Sequence, residues 1–294
     1  MRMTRHHLAR LAGLVLLGWT TLALAAANDE WTRPFPAVHI VGNLYAVGTY
    51  DLQSFLLTSD EGHILINTGL KDSTAQIRAN IESLGFRLED VKILLTMQAH
   101  FDHTAALAEI KSLTGAQMWA TKKDARVLED GGASDPHFGG NPVTAFAPVK
   151  VDRIIRQGDV ITLGKTTLTV YEHPGHTEGS SSYGMTASEG GKTYNVLIAN
   201  MGTINPGKRL FLNPTYPGCG RDFAETYAAQ RAMNPDIWVA AHASQYGLHD
   251  KYKPGQSYSP ETFVDPDGFH AAVEKLDQIF LRQVLAEQLE GEQS

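Results

Sequence analysis

Residues 96–103 have the sequence Thr96-Met97-Gln98-Ala99-His100-Phe101-Asp102-His103. The apolar run just before this stretch predicts a buried strand, and the residues just after it predict a helix. The stretch therefore occupies a loop at the carboxyl end of a strand, where open α/β sheets commonly place ligand sites. In an extended loop, Gln98 and His100 point to the same side. Asp102 and His103 follow at the start of the helix, and imidazole and carboxylate groups suit zinc.

Two distant histidines occupy the same kind of position. His176 lies in Pro174-Gly175-His176-Thr177, directly after the predicted strand Thr166–Glu172, and His242 ends the predicted strand Ile237–Ala241. A single histidine in such a place is more often structural than a ligand. Because unpaired polar groups buried at strand ends are costly, the dense 98–103 cluster favours ligation by both. The remaining candidates lack this context and are interpreted as structural or solvent-facing: His39, His63, His137, His173, His249 and His270.

The order of strands and helices predicts an α+β domain. Strand-rich halves, each followed by helices, indicate two sheets packed together with helices outside, in one domain covering residues 26–294. The region 131–148 is rich in Gly, Pro, Asp and Asn and is predicted as a loop. The other expected strands are Val38–Tyr50, Gln53–Thr58, His63–Asn67, Val91–Thr96, Gln117–Ala120, Arg153–Arg156, Val160–Leu163, Ser181–Thr186 and Tyr194–Ala199. The expected helices are Asp72–Leu84, one from Asp102 to Leu113, Lys122–Glu129, Asp222–Met233 and Asp267–Leu289.

The chain start and the overall charge bear on compartment and partners. The chain start predicts a signal peptide at residues 1–25 and therefore a periplasmic protein. It contains three arginines, then an apolar stretch from Leu11 to Leu24, and it ends in the sequence Ala23-Leu24-Ala25. An N-terminal membrane anchor is the alternative. The formal charge of −7, which cleavage after Ala25 changes to −10, argues against a nucleic-acid partner. Cys219 is the single cysteine, so no intramolecular disulfide can form. Because it lies in a predicted loop rich in Gly and Pro, we interpret it as incidental.

The quoted run, together with Pro174-Gly175-His176-Thr177 and His242, resembles the metallo-β-lactamase superfamily. That family carries the signature His-x-His-x-Asp-His followed by two distant ligands. The spacing is most similar to the third subclass of true metallo-β-lactamases, in a branch where glutamine replaces the first histidine. The resemblance covers essentially the whole mature chain and implies a four-layer αββα sandwich. Asn67 stands where the family usually has aspartate, and it is either a hydrogen-bonding support of the site or a turn residue before Gly69.

The resemblance implies two metal subsites. Gln98, His100 and His176 would form the first, and Asp102, His103 and His242 the second. Because an amide oxygen is a weaker zinc ligand than an imidazole, we expect the first subsite to be the weaker one. One or two zinc ions per chain are therefore expected, with the second subsite filling first.

The same resemblance implies hydrolysis of the β-lactam amide by zinc-activated hydroxide, which would confer antibiotic resistance. Asp102 would orient the water and move a proton, and Met201 and Thr203 would fall at the substrate contact. Since Met201 cannot bind a carboxylate, Thr203 or a nearby cation would have to do so. Lys208 and Arg209 are candidates, with a solvated charge pair as the alternative. The expected partner is a small-molecule β-lactam substrate, and the chain is expected to be a monomer.

Other functions remain open at this point. A lactonase or thioesterase would use the same metal core, although export disfavours a glutathione thioester. A non-catalytic zinc-binding protein would need closed coordination with no position left for water. Whether the 131–148 loop covers the site is not decided by its composition.

Overall fold

The computed structural model describes residues 29–293 of the chain. Within this range, twelve strands form two sheets. The strands are Val38–Val41 (β1), Leu44–Ala46 (β2), Phe55–Ser59 (β3), Gly62–Ile66 (β4), Val91–Leu95 (β5), Gln117–Thr121 (β6), Arg153–Ile155 (β7), Val160–Leu163 (β8), Thr166–Glu172 (β9), Ser181–Glu189 (β10), Lys192–Ala199 (β11) and Ile237–Ala240 (β12). The helices are Thr74–Ser83 (α1), Phe101–Thr104 (α2), Leu107–Thr114 (α3), Lys122–Glu129 (α4), Cys219–Arg231 (α5), Leu248–Lys251 (α6) and Pro266–Gln293 (α7).

The first sheet has seven strands in the order β1 to β7, and the second has five in the order β12-β11-β10-β9-β8. Pairing is antiparallel from β1 to β4 and parallel from β4 to β7. In the second sheet only the β11–β12 pair is parallel. Both sheets are therefore mixed, and the α+β class predicted from the sequence is confirmed.

Alternating side chains of the first sheet supply two separate cores, as the pleat of a strand requires. Leu57 of β3 and Ile66 of β4 belong to a core that includes residues of the second sheet, such as Val170 and Ile198. Their neighbours on the opposite face pack against α1, α3 and α4: Leu56, Leu65 and Leu94 with Ile77, Ile81, Leu107, Ile110 and Leu128. Helices α5 and α7 contact each other through Phe223, Tyr227 and Phe280. Burying one leucine or isoleucine side chain in these cores contributes roughly 1.5–3 kcal/mol to the free energy of folding.

Two predicted elements are each divided in the structure. The expected strand Val38–Tyr50 is a hairpin of β1 and β2, because Gly42 turns the chain at a φ of +58° that most side chains disfavour. The helix expected from Asp102 to Leu113 is α2 followed by α3, and the break places Asp102 and His103 in a separate single turn.

Other differences from the expected elements are smaller. The hairpin of β10 and β11 is longer than expected, and α5 and α7 begin earlier. The 131–148 region contains neither helix nor strand, as expected. The predicted signal peptide lies outside the described residues. None of the helices described here has the length and apolar character needed to cross a membrane.

Candidate metal centre

Asn67 holds the loop that carries the first candidate ligands. Its side-chain oxygen accepts hydrogen bonds from the backbone N–H of Met97 at 2.9 Å and the hydroxyl of Thr96 at 3.2 Å. Its backbone has a φ of +62°, a left-handed conformation that asparagine tolerates better than most residues. Asn67 is thus both a support of the site and a turn residue. It fixes the peptide immediately before Gln98.

The loop after β9 is shaped around His176. Gly175 has a φ of +129°, and a Cβ at this position would lie 2.7 Å from the ring of Phe223. Only glycine therefore fits between the loop and α5. The Nδ1–H of His176 donates to the carbonyl of Thr203 at 2.6 Å, which leaves its Nε2 lone pair free to face the site.

Lys208 is buried and does not form the solvated charge pair considered above. Its Nζ donates to the carbonyls of Gly175 at 3.0 Å and His176 at 2.6 Å, and burial lowers its pKa. Arg209 is the partner left at the surface, and it pairs there with Glu287 and Glu290. Neither cation is free to hold a substrate, because one is used inside the fold and the other is neutralised outside it.

The third loop brings His242 to the same place from the end of β12. Its Nδ1–H donates to Oδ2 of Asp51 at 2.8 Å. The other carboxylate oxygen of Asp51 accepts the backbone N–H of Ser244 at 3.0 Å, and Leu52 forms an isolated bridge with His242. The loop between β2 and β3 in the first sheet therefore fixes a histidine that the second sheet delivers.

The residues expected in the first subsite converge. Nδ1 of His100 lies 3.0 Å from Nε2 of His176, and both rings are buried. Nε2 of His100 points the other way, towards Oδ2 of Asp135 at 3.3 Å. Gln98 lines a cavity together with His100 and His176, and its side-chain oxygen is buried without a hydrogen-bond partner.

The residues expected in the second subsite also converge. One donor atom each from Asp102, His103 and His242 lies within 4.8 Å of the others, a group that can hold a metal ion. Oδ2 of Asp102 is 3.1 Å from Nε2 of His103 and 3.5 Å from Nε2 of His242. The side chain of His103 is fully buried, yet neither ring nitrogen forms a hydrogen bond of good geometry, since Nε2 is close to Asp102 but not aligned with it.

The charges of the site follow from burial and pairing. Burial opposes ionisation of Asp102, but His103 and His242 outweigh it and hold its pKa well below the usual value. Burial disfavours a charged His242, yet Asp102 and Asp51 raise its pKa to about 9. Asp51 is likewise buried, and His242 lowers its pKa to about 2. The region therefore holds carboxylates in their ionised form in a largely buried setting, which favours a cation.

These donors fit a zinc ion. Buried polar atoms without partners are rare in folded proteins and require an explanation such as a bound ion. Here Gln98 Oε1 and both nitrogens of His103 are of this kind, and all three point to nitrogen or oxygen ligation. In His100, His176 and His242, one ring nitrogen points away from the site and faces an oxygen acceptor. This arrangement orients metal-bound imidazoles in proteins.

A cavity of about 370 Å³ opens onto both clusters. Trp31 and Phe138 contribute aromatic walls, and Phe138 packs edge-on against His100 with ring centroids 4.9 Å apart. Met201 and Thr203, the expected substrate contacts, also line this cavity. Since Phe138 belongs to the 131–148 region, that loop does form a wall of the site.

Asp51 and Asp135 are two residues of the site that the sequence does not predict. Both lie in loops, where an aspartate is most simply explained as a turn residue. Asp135 also serves as one, because its Oδ1 accepts the backbone N–H groups of His137 at 2.8 Å and Phe138 at 2.6 Å. No local pattern distinguishes these two from other loop aspartates.

The residues interpreted as structural lie outside the two clusters. His173, for example, is buried with Nδ1 against the hydroxyl of Ser182 at 2.7 Å. Cys219 is not in a loop as expected but is the first residue of α5, where it is buried as a free thiol. Its Sγ lies 3.9 Å from the carbonyl of Gly175.

Comparisons with known proteins place the chain in a family. Residues 49–187 match the family described as the Metallo-beta-lactamase superfamily. The class B3 di-zinc metallo-β-lactamase LRA-12 from an Alaskan soil metagenome is 45% identical, with a TM-score of 0.84 over 86% of this chain and 96% of that one. The metallo-β-lactamase GOB-18 from Elizabethkingia meningoseptica is 41% identical, with a TM-score of 0.85 over 88% and 95% of the two chains. The chain belongs to the metallo-β-lactamase superfamily.

Within that superfamily, its solved relatives are similar to it over nearly their full length. The subclass B3 enzyme BJP-1 of Bradyrhizobium japonicum is 36% identical, with a TM-score of 0.83 over 90% of this chain and 99% of that one. The resemblance to the third subclass of metallo-β-lactamases and the fold stated from the sequence are thereby confirmed, whereas the branch with glutamine in place of the first histidine stays a prediction. Curated sequence relatives include the hydroxyacylglutathione hydrolase of Methylobacterium nodulans, 30% identical over 45% of this chain. The chain spans about half the length of the curated relatives it matches.

Proposed function

We propose that this chain is a zinc-dependent hydrolase that opens the amide bond of β-lactam antibiotics. The observation that carries the proposal is the convergence of Gln98, His100 and His176 with Asp102, His103 and His242 at one cavity. The solved relatives named above support the lactam as substrate, since they are metallo-β-lactamases similar over 95% or more of their own length.

The residues that would hold zinc are the six in these two groups, and Asp102 would be the one that also acts on the substrate. A zinc ion held there lowers the pKa of a water molecule it binds to about 7 and polarises a carbonyl group. Asp102 stays ionised in this site, so its carboxylate would accept a hydrogen bond from the attacking water and orient it, and it would relay the proton of that water to the leaving nitrogen. Trp31 and Phe138 line the cavity with aromatic surface, which would restrict bulk water and pack against the lactam ring.

We infer that the second subsite is the tighter of the two. Asp102, His103 and His242 supply a carboxylate and two imidazoles, whereas Gln98 contributes only a neutral amide oxygen to the first. Activity should therefore appear with the first equivalent of zinc added to metal-free protein. If activity stayed near zero until the second equivalent, the one-zinc version would be wrong.

Location and substrate contact are part of the proposal. Residues 1–25 would act as a signal peptide that brings a monomeric enzyme to the periplasm, where β-lactams are encountered. Thr203 would lie against the substrate on the rim of the cavity, and Met201 would contact it through apolar surface alone.

Thioester hydrolysis is the second candidate function, favoured by the curated hydroxyacylglutathione hydrolases among the relatives. The test is hydrolysis of a chromogenic cephalosporin alongside a hydroxyacyl-glutathione thioester and a lactone. We expect cephalosporin turnover that a chelator abolishes and added zinc restores. Turnover of the thioester or lactone without the cephalosporin would assign the alternative, and zinc binding without turnover of any of the three would indicate a binding protein.

A further inference from the structure

The metal cavity has no lysine or arginine side chain among its described lining residues that could pair with an anionic substrate. β-Lactam antibiotics carry a carboxylate or sulfonate beside the lactam nitrogen, and neither lysine nor arginine is among the described residues that line this cavity. Lys208 is bound to two backbone carbonyls, and Arg209 is paired with two glutamates. A basic side chain that pairs with this anionic group would therefore lie just outside the cavity.

A second cavity of about 330 Å³ adjoins the first. The two share four lining residues: Met201, Thr203, Ser244 and Gln245. Gln245 is fixed between them, since its side chain donates to the carbonyl of Met201 at 3.1 Å and accepts the backbone N–H of His242 at 3.2 Å. Thr203 and Ser244 are exposed, so their hydroxyls lie on the rim where the two cavities meet.

Helix α7 forms the far wall of this second cavity. Ala272, Leu276 and Ile279 are spaced to present one apolar stripe of the helix, and Ile279 is 39% exposed. Lys275 lies beside this stripe and also lines the cavity. Between residues 29 and 293, no carboxylate pairs with Lys275 and no acceptor binds it, whereas other cations near α7, such as Arg231 and Lys251, have carboxylate partners.

We propose that this second cavity, which we name the α7 groove (Met201, Thr203, Ser244, Gln245, Ala272, Lys275, Leu276 and Ile279), binds the half of the lactam that carries its anionic group. The assignment rests on the proposed function. Lys275 pairs with the substrate carboxylate, and the hydroxyls of Thr203 and Ser244 bind its oxygens. The flexible four-carbon stem of lysine lets the ammonium reach over the rim.

The apolar stripe explains the remaining part of the groove. A ring substituent next to the carboxylate would lie on Ile279, which is exposed, and on the side of Leu276 that faces the groove. The preferred substrates are therefore anionic lactams with an apolar substituent on the carboxylate side. Because Lys275 contacts neither the metal ligands nor the reacting bond, it determines specificity and binding rather than chemistry.

The test is a cycle that removes each charge in turn. Wild type and Lys275→Gln, both loaded with zinc, are compared on a chromogenic cephalosporin and on its carboxylate methyl ester. Lys165→Gln is the matched control, since Lys165 is exposed and lines neither cavity. An exposed ion pair corresponds to a change of about threefold to fivefold in KM. We expect Lys275→Gln to raise KM for the acid by this factor with kcat unchanged, and to leave KM for the ester as in wild type.

Charge reversal and the apolar stripe give two further readouts. Lys275→Glu should raise KM for the acid by about tenfold. Added salt should reduce the difference in KM between this variant and wild type, because salt screens exposed charges. Ile279→Ser should raise KM about twofold to threefold for a lactam with an aromatic substituent, and not for one with a methyl group in its place.

The outcomes separate this inference from the function on which it rests. If zinc-loaded wild type hydrolyses the cephalosporin but Lys275→Gln matches Lys165→Gln on both substrates, the α7 groove is not the anion subsite while the enzyme remains a lactamase. If Lys275→Gln lowers kcat equally for acid and ester, the lysine acts on the chemistry or the fold and the assignment is also wrong. If wild type hydrolyses no lactam at all, the proposed function fails and the subsite fails with it.

Discussion

Substitution of Asp51 by asparagine should weaken the second metal subsite without altering any of its ligands. Asp51 accepts two hydrogen bonds, from the Nδ1–H of His242 at 2.8 Å and from the backbone N–H of Ser244 at 3.0 Å. An asparagine has one acceptor oxygen and one donor NH₂, so it cannot accept both. If the NH₂ faces His242, the proton of the ring moves to Nε2, the nitrogen that faces Asp102.

The size of the effect follows from the lost hydrogen bond. If the asparagine instead keeps its oxygen towards His242, its NH₂ opposes the N–H of Ser244. Either orientation costs one buried hydrogen bond, about 1–3 kcal/mol. Loss of an outer partner of a metal-bound histidine typically weakens metal affinity by about 10–100-fold, which agrees with that range.

The measurement is competitive titration of metal-free protein with zinc against a chromophoric chelator at pH 7.5. Asp72→Asn is the control. Asp72 is exposed in the turn before α1, so this substitution removes the same charge at a place away from the site. Urea unfolding of the metal-free variants checks that the fold persists. A zinc affinity of the tighter site within twofold of wild type would refute the reasoning that Asp51 sets the tautomer of His242.

Three other substitutions have defined outcomes. Asp135→Asn should lower the zinc affinity of the first subsite by about 10–100-fold and leave that of the second unchanged, because Asp135 faces only His100 among the candidate ligands. An equal loss of zinc affinity at both subsites in the same titration would contradict this. Gln98→His should raise the affinity for the second equivalent of zinc by on the order of tenfold, measured by calorimetry, since an imidazole replaces an amide oxygen. Asp124 is buried, and burial raises its folded pKa to about 7, above the unfolded value near 3.9. Its stabilising contribution is therefore complete below about pH 4, is lost progressively between about pH 4 and 7, and stays lost above pH 7. The Tm of wild type should fall relative to that of Asp124→Asn from about pH 4.5 to 7 and then level off; a difference in Tm that is constant from about pH 4.5 to 7 would show that Asp124 does not titrate there.

The local sequence was sufficient for the elements that have strong periodicity. β5 is a run of buried apolar residues, and α1 places Ile77 and Ile81 four residues apart on its buried face. Boundaries were less certain where a single residue changes the backbone. Gly42 divides the first predicted strand, and the turn after Thr104 divides the predicted helix, since both depend on how the chain meets its neighbours in space.

The candidate ligands were predictable for a similar local reason. Each of the three ligand loops directly follows a strand, and the dense cluster at residues 98–103 outweighs the structural explanation that any single histidine would have. Lys208 was the opposite case: its sequence context beside Arg209 suggests a surface pair, and only the packing of the His176 loop shows it buried. The α7 groove has no sequence signal, because its walls come from loops and a helix that are distant in the chain.

The candidate ligands can be predicted from sequence, because ligand chemistry depends on side-chain type and on position at a strand end. How these residues are held is visible only in the folded chain. Asp51 reaches His242 across 191 positions of the chain, and Asp135 reaches His100 from a loop without regular structure. Hydrogen bonds and charges act over a few ångströms whatever the separation along the chain, and the packing of the two sheets is what brings these groups within that range.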